Sequence, residues 1–499
     1  MMMLGKIKPV ALSLAILGAL LIVVSCDQTP STDRETWAKI YQDPKRPSIY
    51  PDYRLSLAAT PTPDGGFILN QYADNTLAND TIQDRGSALI KVDAAGTILW
   101  QKKYDLNIQG ALAPVENSDT ASFICIGQDE EKKECLMKID QEGGVIWKKS
   151  YGEAGSHTPL GISINEAGDA IFVSGSLNDS QRPEESGAFY AKLDLYGNLL
   201  WEKSLVDNQE EHRPFDLYHA PSSGDGIFIW SNHPSAFLGK IDGDGHALWS
   251  RSYLASEFEP EASSHFITSV NKTQEGGCVV TGLSTSFHTA EEKIWIMKLD
   301  ALGDQEWSTR LEAPLGYYPL QIRRTQDGGY AILGFYLNQS YVNLIASFLM
   351  TLDKAAFLMK LDSQGQIVWQ KSYRDESMTK RIKPESSSGL PLILFTSNSV
   401  EAFSFNEAAD GGYVFTGHLN YQQTYPVPEE GTEYEQFVAR TDTQGRISDT
   451  DLIVREMSAK NSAIHISSTE VTLTANDRAN ILTDAAATTT EVQFTVIDL

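Results

Sequence analysis

The sequence predicts an all-β fold: a seven-bladed β-propeller of four-stranded antiparallel blades, closed by an N-terminal strand. Three observations predict it. A K-x-D-x-x-G-x-x-x-W element recurs along the chain. A second, glycine-rich turn precedes most of its copies. A fragment of the same repeat, "TWAKIY" from Thr36 to Tyr41, stands alone near the start, a tail without a head.

The recurring element comes first. Its Asp stands at Asp93, Asp140, Asp194, Asp242, Asp300, Asp362 and Asp442. Gly follows three residues later at Gly96, Gly143, Gly197, Gly245, Gly303, Gly365 and Gly445. A basic residue precedes by two at Lys91, Lys138, Lys192, Lys240, Lys298, Lys360 and Arg440. Trp follows by seven at Trp100, Trp147, Trp201, Trp249, Trp307 and Trp369, and Asp449 takes that place in the last copy. Asp bonds its own backbone to start a turn and Gly supplies positive φ, so each copy reads as a hairpin with Trp on its second strand. The spacing between copies drifts from 47 to 80 residues, which means a fixed unit with variable loops.

The upstream turns complete the unit. They are Asp64-Gly65-Gly66, Glu275-Gly276-Gly277, Asp327-Gly328-Gly329 and Asp410-Gly411-Gly412, with weaker forms at Gly168-Asp169 and Gly224-Asp225-Gly226. Two hairpins make four antiparallel strands, and seven such units make a propeller rather than a solenoid, whose repeats are shorter and capped. One Trp per blade fills the wedge between neighbouring sheets. Trp37 to Tyr41 then adds to the seventh blade, supplying the Trp that Asp449 lacks.

What flanks the propeller is read from composition. Lys6 and Lys8 precede an apolar run from Val10 to Val24, too short to span a bilayer and suited to a signal peptide. The run ends in Val23-Val24-Ser25-Cys26, so residues 1–25 read as a lipoprotein signal, Cys26 as the lipid attachment, and 26–36 as a flexible tether. Residues 37–455 are the propeller, and 456–499 a β-rich tail packed on its edge, as a small hairpin or in place of the N-terminal strand. The net charge of −26 argues against nucleic acid and anionic membranes as partners, so contact with a membrane runs through the lipid alone. Cys125, Cys135 and Cys278 stand outside the signal, and no Cys/His spacing suggests a metal or cofactor. Cys125 and Cys135 flank one hairpin, as a disulfide or as two buried thiols.

The lipobox and repeats together resemble secreted bacterial lipoproteins with propeller repeats. The "KLDxxGxxxW" element is similar to the tryptophan-docking motif of the quinoprotein alcohol dehydrogenase-like superfamily, one residue shorter between Asp and Gly. The resemblance implies the fold and leaves function open, since propellers host enzymes, scaffolds and binders. A quinoprotein oxidase would carry eight blades and adjacent cysteines. A sialidase would carry differently spaced Asp boxes. No catalytic residue is singled out.

Function is expected on the face carrying the long, diverse connections: Asn70–Ser87, Asn178–Gly187, Thr285–Glu292, Tyr336–Lys354, Asp375–Val400 and Leu419–Tyr434. His157, His212, His265 and Tyr317 occupy one repeat position in successive units, ahead of the first turn glycine. They form a candidate arc at the channel rim for an acidic or polyhydroxyl ligand; the plain alternative is repeated packing. The expected protein is a monomeric, lipid-anchored module of the bacterial envelope that binds a protein or carbohydrate, with a polysaccharide hydrolase or lyase as the alternative.

Overall fold

The structure, a computed structural model, describes residues 36–42, 58–73, 86–108, 110, 112–115, 121–129, 131–151, 157–165, 167–177, 187–207, 227–231, 236–255, 263–286, 292–312, 317–344, 347–375, 394–425 and 433–447. In the C-terminal segment it describes 452–456, 460–463, 466–470, 473–478, 482–484, 489–491 and 495–498. The signal, Cys26, the tether, His212 and much of the variable connections lie outside these residues.

The chain is an all-β propeller of antiparallel blades. The third repeat shows the plan. His157–Ile164, Ala170–Leu177, Gly187–Asp194 and Leu199–Asp207 pair in sequence order, from the innermost strand to the outermost. The first and fifth repeats follow the same order, and each of these sheets gains a fifth strand from the C-terminal segment.

Hydrogen bonding gathers the described strands into six sheets, not the seven that the repeat count predicts. The difference arises between the sixth and seventh repeats. Their strands run past the blade edge: Tyr330–Leu344 pairs with Ser347–Leu361 down to Leu344↔Ser347, and Leu394–Glu407 pairs with Tyr413–Tyr425. The overhang of Ser347–Leu361 pairs in parallel with Leu394–Glu407, Leu349 facing Leu394 and Lys354 facing Ser399. That pairing fuses two repeats into one ten-stranded sheet. In the same sheet Trp37–Gln42 pairs antiparallel with Glu433–Arg440, Trp37 facing Arg440.

Each recurring turn is built alike. In the sixth repeat Asp362 Oδ1 accepts the backbone N–H of Gln364 at 2.9 Å and of Gln366 at 2.8 Å. Gly365 sits at φ 76°, where a side chain would be strained. A Cβ there would also lie 2.6 Å from the Trp307 ring, because the Trp of each repeat docks on the turn glycine of the next. The series runs Trp37 on Gly96, Trp100 on Gly143, Trp147 on Gly197, Trp201 on Gly245, Trp249 on Gly303, Trp307 on Gly365 and Trp369 on Gly445. The Tyr four residues after Trp tightens several of these joints. Tyr41, Tyr104 and Tyr373 each donate their hydroxyl to the turn glycine carbonyl at 2.8 Å. Trp37, Trp100 and Trp249 donate their indole N–H to Ala94, Gln141 and Ala301.

The basic residue of the motif ties a blade's two turns together. Lys360 Nζ donates to Thr325 Oγ1 and Asp327 Oδ1, both at 2.9 Å. Lys91 repeats this with Thr62 and Asp64, and Arg440 with Asp410. Burial alone would raise the Asp327 carboxyl, but hydrogen bonds from Thr325, Lys360 and the Gly329 N–H outweigh it and hold it down to about 2.

Candidate binding face

The inner strands of the third, fifth, sixth and seventh repeats each carry a bulge. It falls between Pro159 and Gly161, Ile267 and Ser269, Pro319 and Gln321, and Ala402 and Ser404. The residue before the bulge faces a glycine on the second strand: Gly175, Gly282, Gly334 or Gly417. The space for a side chain is gone there. A Cβ on Gly334 would lie 2.2 Å from the Tyr318 carbonyl and 2.7 Å from the Phe357 ring. Bulges re-aim side chains at strand ends, and these stand next to the variable face.

The register places His157, His265 and Tyr317 at one position, two residues ahead of the residue that faces each glycine. Val400 holds that position in the seventh repeat and is buried. His157 and His265 are described by their backbone only, and His212 lies outside the described residues. Tyr317 is buried, not open to the channel. Its ring stacks on Tyr336 at 5.2 Å and meets Phe357 at 5.5 Å. Burial, with Tyr336 nearby, pushes its hydroxyl up to about 12.

The sharper cluster lies beside Tyr317. Tyr318 stacks on Phe335 at 4.9 Å. Lys354 Nζ stands 5.3 Å from the Phe335 ring centroid. The Arg374 guanidinium stands 5.2 Å from the Tyr336 centroid and donates from Nε to the Tyr336 hydroxyl at 3.0 Å, with a second donation from Nη2. Tyr318, Phe335, Tyr336, Lys354 and Arg374 are all half-buried. Two cations held over aromatic faces at a water-accessible edge suit a ligand offering carboxylates or hydroxyls. The cluster sits where Tyr330–Leu344 and Ser347–Leu361 leave the blade. The sequence predicts a loop over Tyr336–Lys354; the strands instead continue as a paired hairpin. Tyr336, Tyr341 and Val342 are strand-forming residue types, but Leu337 to Ser340 show no alternation of apolar and polar positions, so the local signal is faint.

Other candidates are structural. Cys125 faces Met137 and Cys135 faces Gly127, two rungs apart, and both thiols are free and buried. Burial pushes each up to about 12, which makes them inert. Among the described residues no group of three or more His, Cys, Asp or Glu could hold a metal ion. No helix among them is long and apolar enough to cross a membrane.

His418 is one of several buried side chains with a polar atom left without a partner. Its Nε2 has no hydrogen-bond partner, and its ring meets Phe403 edge-on at 4.9 Å. Burial lowers its pKa to about 4. The folded state therefore keeps it neutral while the unfolded chain protonates it near 6.5. Its contribution is complete above that pH and is lost as pH falls from 6.5 through 4. Replacing His418→Leu is expected to remove up to about 3 kcal/mol of that acid sensitivity, read as a flatter urea midpoint between pH 7 and 4.

No family model matches the chain, and no curated protein matches it. Solved structures are similar at low identity. The GH43_1 enzyme from Xanthomonas citri is 10% identical, over 54% of this chain and 93% of that one, with a TM-score of 0.27. A puromycin-hydrolyzing peptidase of Mycobacterium tuberculosis is 12% identical, over 84% of this chain and 55% of that one, with a TM-score of 0.35. A mannose phosphorylase from Leishmania mexicana, in complex with phosphate ion, is 10% identical, over 69% and 87%, with a TM-score of 0.24. At these scores the likenesses decide nothing about activity.

Proposed function

We propose that this chain is a lipid-anchored module of the bacterial cell envelope whose variable face binds a protein or carbohydrate partner. The observation that carries the reading is the half-buried Tyr/Phe cluster with Lys354 and Arg374 at the base of the projecting hairpin. In a chain of net charge −26, two cations placed over rings at one edge favour an anionic or polyhydroxyl partner. The rim position of His157, His212 and His265 belongs to the same proposal, supported by the shared register of His157 and His265, while Tyr317 at that position packs behind the cluster against Tyr336 and Phe357. The lipid anchor is supported by Lys6, Lys8, the apolar run and Cys26. The same proposal has the protein at the outer membrane or cell surface and acting as a monomer.

The same proposal treats the ten-stranded sheet as two sectors of a seven-sector ring, closed by Trp37–Gln42. Seven Trp-on-Gly dockings support it, each passing from one repeat to the next, and the first starts from Trp37 beside the last repeat. The second reading is a propeller hydrolase or lyase acting on polysaccharide.

The test compares the wild-type chain with a Lys354→Ala/Arg374→Ala variant, in pull-down from envelope extract and in retardation on acidic polysaccharide gels. The expected result is a urea midpoint lowered only slightly, by the lost ring contacts, and at least a tenfold loss of retention. Equal recovery of every partner and ligand overturns the binding reading. Release of new reducing ends by the wild-type chain supports the hydrolase or lyase instead. Loss of labelled palmitate in Cys26→Ser checks the anchor.

A further inference from the structure

The outermost strand of a blade has one edge paired and one edge bare, and a bare edge is a row of unmet N–H and C=O groups. Here the C-terminal segment meets those edges one after another. Leu452–Glu456 pairs with Ile367–Asp375 of the sixth repeat, and Lys460–Ala463 with Gln305–Glu312 of the fifth. Ile466–Glu470 pairs with Ala247–Ala255 of the fourth, and Leu473–Arg478 with Leu199–Asp207 of the third. Leu482–Asp484 pairs with Val145–Tyr151 of the second, and Thr489–Glu491 with Ile98–Tyr104 of the first. Thr495–Asp498 then pairs with Trp37–Gln42, Lys39 facing Asp498 and Gln42 facing Thr495. Every pairing is antiparallel, and the repeats are visited in strictly reverse order.

We propose that the seven short strands between Leu452 and Asp498 form a belt around the blade edges whose last station latches the N-terminal strand in place. Three features argue for it. The reach is right: an extended chain of this length spans about 155 Å at roughly 3.3 Å per residue. A globular chain of this size has a radius of gyration of about 23 Å and hence a surface radius of about 30 Å, a circle of about 190 Å, and the segment travels most of that circle rather than all of it, from the sixth repeat round to the N-terminal strand. The order is right, because only a segment that starts on the sixth repeat and travels backwards ends on the N-terminal strand. The latch position is right as well. Trp37–Gln42 comes from the opposite end of the chain to Glu433–Arg440 and is joined to it by hydrogen bonds and side chains, with no hairpin turn to hold it there. Thr495–Asp498 covers its other edge, placing the strand between two partners. The stations are only three to six residues long, so the belt can open station by station. The inference concerns the outer edges and does not depend on what the variable face binds.

The test uses the chain with Cys26→Ser, so that no lipid is attached and the only other thiols, Cys125, Cys135 and Cys278, are buried. A chain ending at Glu491 lacks only the last station. Its amides from Ala38 to Tyr41 are expected to exchange at least tenfold faster than in the full chain, with those of Ile332 to Phe335 unchanged. A synthetic peptide of residues 489–499, added in excess, restores protection. A second variant, Ile40→Cys/Ile497→Cys, joins residues that face each other across the latch. It is expected to form a disulfide in the full-length chain and to slow exchange from Ala38 to Tyr41. Unchanged exchange in the shortened chain overturns the latch, and so does failure of the cysteine pair to cross-link under oxidation. Should the shortened chain not fold, the cross-link and its effect on exchange decide alone.

Discussion

Trp369→Ala lowers stability by about 3–5 kcal/mol, the range for deleting a large buried aromatic. The ring is 8% exposed. It packs edge-on against Tyr413 at 5.7 Å and lies beneath Gly445, 2.7 Å from where a Cβ would sit. Removing it empties the joint between the sixth and seventh repeats and leaves the turn glycine with nothing to rest on. A neighbouring change separates packing from hydrogen bonding. Tyr373→Phe deletes only the hydroxyl that donates to the Gly445 carbonyl, and is expected to cost about 1 kcal/mol. Urea unfolding of both variants checks the pair. Equal and small effects would mean that the rings decorate the joint rather than hold it.

Glu134→Gln stabilises the protein at alkaline pH, by roughly 2 kcal/mol or more at pH 8. Glu134 is fully buried, and Gln128 Nε2 donates to its Oε1 at 2.8 Å while Oε2 has no partner. Burial pushes the carboxyl up to about 9, the Gln128 bond offsets this in part, and nearby Asp129 adds to the rise. A raised carboxylate pKa means that the folded state holds the proton more tightly than the unfolded chain. Its contribution is complete below about pH 4.5 and is lost as pH climbs through 9. The uncharged amide escapes that loss, so the two proteins should converge towards pH 4.5 and part steadily above it. Urea midpoints measured from pH 5 to 9 decide this, and parallel curves would show that Glu134 does not titrate in that range.

These two sites differ in how far the sequence announces them. Trp369 recurs at a fixed offset from Asp362, and a large aromatic repeated in register has few places to go except the joint between like units. Glu134 has no such signal. It stands beside Cys135 in "EKKEC", where exposed charges are the rule, and only the pairing with Gln128 encloses it. The basic residue of the motif is intermediate. Its recurrence is visible, but its bond to the Thr-x-Asp of the upstream turn joins residues about thirty positions apart, and that distance closes only when the two hairpins form one sheet.

The candidate face was legible as a place and not as a set of residues. Long connections between repeats mark it, yet Tyr336–Lys354 continues as paired strand rather than loop. The rim position of His157, His265 and Tyr317 is shared, as the repeat arithmetic implies. Tyr317 is nevertheless buried, because Tyr336 faces it across the strand pair and Phe357 packs on its ring. Lys354 and Arg374 sit outside the repeated motif, so no periodicity points to them.

By itself the sequence determined the unit: two hairpins, a turn set by Asp and Gly, and a Trp ring for the next unit to rest on. Those are local or nearest-neighbour matters, governed by backbone freedom and by one large side chain per repeat. The tertiary structure alone decided the rest: the merging of the last two repeats through strands that outrun their blades, and the course of the tail along the outer edges. Both depend on which unmet backbone groups come within reach once the sheets have formed, and a bare strand edge pairs with any strand that arrives in register.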